Sequence, residues 1–104
     1  MPGQWGDLKT VVTAAAVMAD VEHQSIAFPR LPEAWDALEW VLARSAETVG
    51  RAPNNGDQAL RLYAQEQDLL ANIPAIWIVY KIGEQIEILA AKMVPPQAIV
   101  DDNQ

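Results

Sequence analysis

The histidine, serine and acidic side chains of this chain are its candidates for catalysis or metal binding. His23 is the only histidine, and Asp20 precedes it by three residues, so both would lie on one face of a helix. Such a pair supplies half of a metal site, or a general base with its orienting carboxylate. Because the chain has no second histidine and no cysteine, we interpret His23 as a solvent-facing side chain and expect no metal and no cofactor.

Arrangements for nucleophilic and acid–base catalysis are also incomplete. A serine hydrolase presents its nucleophile on a glycine-flanked turn, and neither Ser25 nor Ser45 has such flanks. Glu84 and Glu87 have a spacing that could suggest acid–base catalysis, but their positions at a turn and at a sheet edge fully explain them. The glycines of the chain form no phosphate-binding loop. No complete set of catalytic residues can therefore be identified from the residue types and their spacing.

Composition limits the classes of protein to which the chain can belong. The 104 residues are 51% hydrophobic and carry 14 acidic against 7 basic side chains, a net charge of −7. This charge repels phosphate at long range and argues against broad nucleic-acid binding. The apolar runs are too short for a membrane span, and the first residues lack a secretion pattern. We expect one cytoplasmic domain with no membrane partner.

Hydrophobic periodicity predicts the element order β-α-α-β-β-β. The second helix is the clearest element, because Pro32 suits its first turn and Gly50 its end. Thr13 is the predicted cap of the first helix, which Pro29 ends. Pro95 and Pro96 end the last strand, and residues 95–104 are predicted to form a loose acidic tail. The predicted elements are a strand over 8–12, helices over 14–28 and 32–48, a strand over 59–64, and a hairpin of strands over 75–82 and 85–91.

Two registers compete in the predicted hairpin. A two-residue turn at Gly83 and Glu84 has preferred loop chemistry, but it would place Tyr80 opposite Glu87. A three-residue loop pairs apolar with apolar side chains and joins opposite charges, and we favour it for that reason. Its pairs are Ile82 with Ile86, Tyr80 with Ile88, and Lys81 with Glu87.

Helices that precede an antiparallel sheet predict an α+β fold of two layers. The helix face that holds Leu38 and Leu42 should cover one face of the sheet, burying residues such as Ile76, Ile78 and Ile88. The other face would then leave Trp77, Val79 and Leu89 without cover. Residues 98–100, a twin subunit or another protein could cover this second apolar face.

Trp40 falls among charged residues on the polar side of the second predicted helix. An exposed tryptophan is a residue type enriched at binding hot spots. Alternatively, its ring packs under Arg44, against Trp5 or against the C-terminal tail. We name Trp40, Arg44 and Trp77 as candidate partner-binding residues.

Three segments of the chain carry a resemblance to a known family. They are the helix Trp35-Asp36-Ala37-Leu38-Glu39-Trp40-Val41-Leu42, the strand Leu60-Arg61-Leu62, and the hairpin that begins Ile76-Trp77-Ile78-Val79-Tyr80-Lys81-Ile82. Over residues 8–94 the chain resembles the RelE/ParE superfamily of bacterial toxins from type II toxin–antitoxin pairs. The resemblance implies a single RelE/ParE-like domain over 1–104, with an ordered core of about 8–94 and two helices packed on an antiparallel sheet.

The resemblance also implies an activity and a partner. RelE-like members cleave mRNA in the ribosome, ParE-like members poison DNA gyrase, and a cognate antitoxin silences both. Basic residues stabilise the phosphate charge that develops during cleavage, so Arg61, Lys81 and Lys92 are the candidate catalytic residues, with Tyr80 as a candidate acid. Trp77 stands where the family commonly has a strand arginine, and residues 95–97 lack the basic residues that often follow the last strand.

The function predicted is therefore a toxin-family subunit bound by a cognate antitoxin or another protein, with mRNA cleavage weakened, altered or lost. RNA or the ribosome would be a partner only if toxin activity remains. The alternative is a protein-interaction module without catalysis, such as a homodimeric accessory subunit.

Overall fold

The computed structural model describes residues 8–52 and 59–97, and within them it has two helices and four strands. Their order is β-α-α-β-β-β, which confirms the predicted α+β layout. The predicted end of the second helix at Gly50 is confirmed as well. The elements are β1 (Val11–Thr13), α1 (Ala15–Gln24), α2 (Leu31–Val49), β2 (Leu60–Gln65), β3 (Ala75–Ile82) and β4 (Ile86–Val94).

The four strands form one mixed sheet in the order β1-β4-β3-β2. The pairs β2–β3 and β3–β4 are antiparallel as predicted, whereas β1 lies parallel to β4. When two neighbouring strands follow each other in the chain, a short connection between them makes them antiparallel. No such connection joins β1 and β4, which are far apart in sequence. In the parallel register, Val11 and Thr13 lie beside Ile86 and Ile88 on the helix side.

The β3–β4 hairpin has the predicted three-residue register, with Ile82 paired to Ile86 and Lys81 to Glu87. Further along, a β-bulge that was not predicted interrupts the ladder, because Tyr80 pairs with Ile88 while Val79 pairs with Ala90. Leu89 is the extra residue. An extra residue exchanges the two faces of a strand beyond it, so that Ala91 and Met93 lie on the helix side and Lys92 on the opposite side.

The core lies between the helices and one face of the sheet. Its residues on α2 recur at helical spacing, as predicted, and those on β3 and β4 are mainly isoleucines. Near the end of α2, Ser45 has a φ of −142° and a ψ of 27°, which are not helical, and the next residue, Ala46, is buried. The core residues of α2, β3 and β4 are Leu31, Ala34, Trp35, Leu38, Leu42, Ala46, Ile76, Ile78, Tyr80, Ile86 and Ile88.

Thr13 connects β1 to α2 and does not cap α1 as predicted. The first helix is preceded by Ala14, whose side chain makes no capping hydrogen bond. The Thr13 hydroxyl instead donates to Oε2 of Glu39 at 3.0 Å, and the indole nitrogen of Trp35 donates to the same oxygen at 3.0 Å. One carboxylate oxygen therefore holds the first strand against the second helix.

Leu38 is fully buried, and we expect Leu38→Ala to lower the free energy of unfolding by about 2–5 kcal/mol through the cavity it leaves. Leu70→Ala is the matched control, because the Leu70 side chain is 100% exposed and should change stability by less than about 0.5 kcal/mol. Urea denaturation followed by circular dichroism measures both. Equal losses in the two variants would contradict the burial of Leu38 beneath the sheet.

Candidate functional site

The helices leave one face of the sheet uncovered, and its centre is apolar. We call this surface the open face and define it by Leu62, Trp77, Val79, Leu89 and Lys92. In β3, Ile76 and Ile78 are buried, whereas Trp77 between them is 56% exposed because side chains alternate along a strand. Leu62 and Leu89 are exposed beside it. Large side chains exposed together in this way are typical of an interaction surface.

Two cations border the groove that crosses the open face. Lys92 is directly opposite Trp77 in the register of β3 and β4. Arg51 lies on the other side of the groove, where its backbone amide and carbonyl both bond to Leu62 at 2.8 Å. Among the described residues, those that line the groove include both cations and no carboxylate: Val49, Arg51, Leu62, Tyr63, Ala64, Trp77, Ile78, Val79, Ala90, Ala91 and Lys92. This part of an acidic protein is thus locally basic.

The sheet separates the cations that were candidates for phosphate stabilisation. Arg61 pairs with Tyr80 across β2 and β3 and lies with it on the helix side. Lys81 and Lys92 lie on the opposite side, and the row of Lys92 is four residues from Lys81 along β3, roughly 13 Å at about 3.3 Å per residue. Lys81 also has Glu87 directly across from it. These residues do not converge on one phosphate.

Tyr80 has a structural position at the end of α2. Its buried hydroxyl donates to the carbonyl of Ala46 and accepts from the backbone amide of Gly50. In a continuing helix that amide would bond to that carbonyl, so the hydroxyl takes the place of the last helical hydrogen bond. Burial raises the pKa of Tyr80, while Arg61 and the Gly50 amide oppose the rise. A buried phenol on the helix side cannot act as an acid on the open face.

Trp40 belongs to a different surface from Trp77. It is 57% exposed in a shallow groove between α2 and β1 that also includes Lys9, Asp36 and Glu39. Arg44 is exposed one turn further along α2. The three candidate partner-binding residues are therefore split between a charged groove and the apolar open face. Trp5, considered as a neighbour of Trp40, lies outside the described residues.

A further exposed apolar group lies at the loops and was not predicted. Leu69 and Leu70 lie in a tight turn closed by backbone hydrogen bonds between Asp68 and Ile73. Leu70 is fully exposed, and so is most of Ile26. The sequence signal was a pair of leucines in a polar connection, which could have indicated an exposed turn.

His23 and Asp20 are both exposed. Among residues 8–52 and 59–97, no three histidine or acidic side chains come together in a way that could hold a metal ion. In the same part of the chain, neither helix has the length and hydropathy of a membrane span.

Comparison of the chain with protein-family models, with curated proteins and with solved structures gave no match. What the chain binds must therefore be inferred from its own residues.

A Cβ at Gly50 would meet the hydroxyl and ring of Tyr80 and, at 3.0 Å, the Cβ of Arg61. We expect Gly50→Ala to lower the free energy of unfolding by about 1–3 kcal/mol through this overpacking. In combination with Tyr80→Phe, the cost should fall short of the sum by at least about 0.5 kcal/mol, because both changes act on the same contact. Urea denaturation of the four proteins in the cycle measures this.

The control for this cycle is Gly83→Ala, because a Cβ there would meet only the Gln85 carbonyl oxygen at 3.7 Å. Additive costs for Gly50→Ala and Tyr80→Phe would contradict the position of the hydroxyl at the helix end.

Proposed function

We propose that this chain is a RelE/ParE-like subunit of a toxin–antitoxin pair that acts by binding a partner protein and has lost mRNA cleavage. The observation that carries the proposal is the open face, where Trp77 stands exposed among aliphatic side chains with Arg51 and Lys92 at its borders. The element order β-α-α-β-β-β agrees with what the family resemblance implies for the fold, whereas the parallel pairing of β1 with β4 departs from the antiparallel sheet that it implies.

The chemistry of the open face favours a protein as its partner. Aromatic and aliphatic side chains that are exposed together gain free energy when another apolar surface removes them from water. Tryptophan and arginine are the residue types most enriched at binding hot spots, and both lie at this groove. An apolar segment flanked by carboxylates would complement Trp77 and the two cations at once.

The distribution of cations argues against cleavage of RNA. Stabilising a phosphate in the transition state requires donors that converge on the same oxygens. Arg61 lies on the helix side, and Lys81 and Lys92 lie apart from each other on the other side. A net charge of −7 would also oppose the approach to ribosomal RNA. Partner binding therefore remains the activity that these residues support best.

Induced expression in bacteria that lack the antitoxin tests the loss of cleavage. We expect normal growth and intact mRNA. Growth arrest accompanied by mRNA cleavage that Arg61→Ala or Lys92→Ala abolishes would contradict the proposal. Growth arrest with intact mRNA would also contradict it, and would direct attention to gyrase as the target.

Trp77→Ser tests the binding surface, and Trp40→Ser is its matched control, because the two tryptophans are 56% and 57% exposed. The partner is the product of the neighbouring reading frame, co-expressed and titrated by calorimetry. We expect Trp77→Ser to weaken binding about 30-fold, which corresponds to roughly 2 kcal/mol at a hot spot. Trp40→Ser should change the affinity less than about threefold.

Both variants should keep the wild-type circular dichroism spectrum, since neither side chain belongs to the core. A larger loss in Trp40→Ser would move the interface to the groove between α2 and β1. Absence of any complex with the neighbouring gene product would contradict the antitoxin pairing itself.

A further inference from the structure

The connection between β2 and β3 presents two leucines to the solvent. Leu70 is 100% exposed and Leu69 is 49% exposed. We call residues 66–70 the acidic turn, because the carboxylates of Glu66 and Asp68 precede these leucines. Large apolar side chains in water gain free energy when another surface covers them, so the acidic turn is suited to contact with a protein.

Hydrogen bonds hold the acidic turn in one shape. The backbones of Asp68 and Ile73 exchange bonds of 3.0 and 2.9 Å, and Oδ1 of Asp68 accepts from the amide of Ala71 at 3.1 Å. Asn72 has a φ of 57°, a left-handed conformation that asparagine tolerates better than most residues, and its amide donates to the Leu69 carbonyl at 3.2 Å. The exposed leucines are thus preorganised, so that little conformational entropy is lost when they are bound.

The charge of the acidic turn is opposite to that of the groove on the open face. Glu66 and Asp68 are both exposed, and no lysine or arginine occurs from residue 62 to residue 80. The groove has Arg51 and Lys92 at its borders and, within the described parts of the chain, no carboxylate in its lining. The turn and the groove therefore match each other both in apolar character and in charge.

The acidic turn cannot reach the groove of its own molecule. Ala64 and Trp77 form the row of the groove nearest to the turn, and Asp68 lies four residues beyond that row, roughly 13 Å at about 3.3 Å per residue. Residues 98–104, which include the segment considered as a cover for the open face, lie outside the described residues. A turn that fills the groove must come from another molecule, and every copy of this chain carries one.

Two copies of the chain can cover both surfaces at once. In a dimer with a two-fold axis, the turn of each copy meets the groove of the other, so the contact occurs twice and the assembly closes at two chains. The two sheets then face each other, which is how packed sheets bury their apolar faces. A dimer that joined only the two grooves would place Arg51 and Lys92 of one copy against the same cations of the other, and this costs free energy.

We propose that two copies of this chain form a symmetric dimer in which the acidic turn of each copy occupies the groove of the other. The leucines of the turn then contact Trp77 and Leu62, and its carboxylates lie toward Arg51 and Lys92. Each chain has a net charge of −7, but at physiological salt the Debye length is about 8 Å, so these close pairs outweigh the distant repulsion. A partner that binds the same groove must displace the second copy. This regulation rests on the function proposed above, whereas the dimer itself does not.

Sedimentation equilibrium of the full chain measures the dimer directly. We expect the mass to rise with protein concentration and to level off at twice the mass of one chain. Leu69→Ser with Leu70→Ser should weaken the dimer at least about 30-fold, because each change occurs twice in a symmetric dimer, and Trp77→Ser should also weaken it. Trp40→Ser is the control for both, because Trp40 is 57% exposed on a different surface, and it should change the dissociation constant less than about threefold.

Charge variants of the turn separate local pairing from the overall charge. Glu66→Lys with Asp68→Asn should weaken the dimer at least about tenfold, and the asparagine keeps an oxygen that can accept from the Ala71 amide. Glu22→Lys with Asp20→Asn is the matched control, because both side chains are exposed on α1 and the net charge changes equally. This control should not weaken the dimer, since a less acidic chain repels its copy less.

Exchange of the charges tests whether the turn and the groove are the surfaces that meet. Adding Arg51→Gln and Lys92→Glu to the turn variant should strengthen its dimer again about tenfold, because the turn is then basic and the groove acidic. A loss caused only by a distorted turn would not be reversed by changes at Arg51 and Lys92. Circular dichroism of each variant checks that the fold is kept.

Three results would overturn the proposal. A chain that stays monomeric at every concentration would mean that the turn and the groove do not associate. A mass that grows beyond two copies would indicate a head-to-tail chain in place of a closed dimer. A dimer that survives the leucine and Trp77 variants, or that Trp40→Ser abolishes, would place the interface elsewhere. Failure of the partner proposed above to bind would leave these measurements unaffected, since the chain is alone in them.

Discussion

The alternation of side chains along β3 is the constraint on which the rest of the structure depends. Ile76, Ile78 and Tyr80 face the helices and are almost completely buried, while Trp77 and Val79 face the other way. Since both sets are apolar, hydrophobicity alone does not decide which face is covered. The second helix determines which face is covered, because its narrow apolar stripe can bury only one side of the sheet.

Tyr80 connects this alternation to the edge of the open face. Its hydroxyl lies between the Ala46 carbonyl and the Gly50 amide and so ends α2. The chain then becomes extended at Gly50, with a φ of −97° and a ψ of 163°, and the next residue, Arg51, pairs with Leu62. The same contact that fixes a core tyrosine therefore also brings a cation to the border of the groove.

Local signals allowed the second helix and the hairpin register to be predicted from the sequence. The helix has a clear apolar period and suitable terminal residues, and the hairpin register follows from pairing Ile82 with Ile86 across one short turn. The parallel direction of β1 and the side on which Arg61 lies could not be predicted in this way. Both depend on pairing between distant segments, which periodicity within one strand does not specify.

The bulge at Leu89 shows how one residue outside any motif determines the chemistry of the candidate site. With a regular ladder beyond Ile88, Lys92 would point toward the helices and Ala91 would lie beside Trp77. The burial of a lysine ammonium among isoleucines would be costly, whereas Ala91 packs against the core without such a cost. The extra residue thus places Ala91 against the core and, by the same shift, places Lys92 opposite Trp77. The basic border of the open face is in this sense a consequence of core packing, and it sets the sign of the charge that any segment bound there must carry.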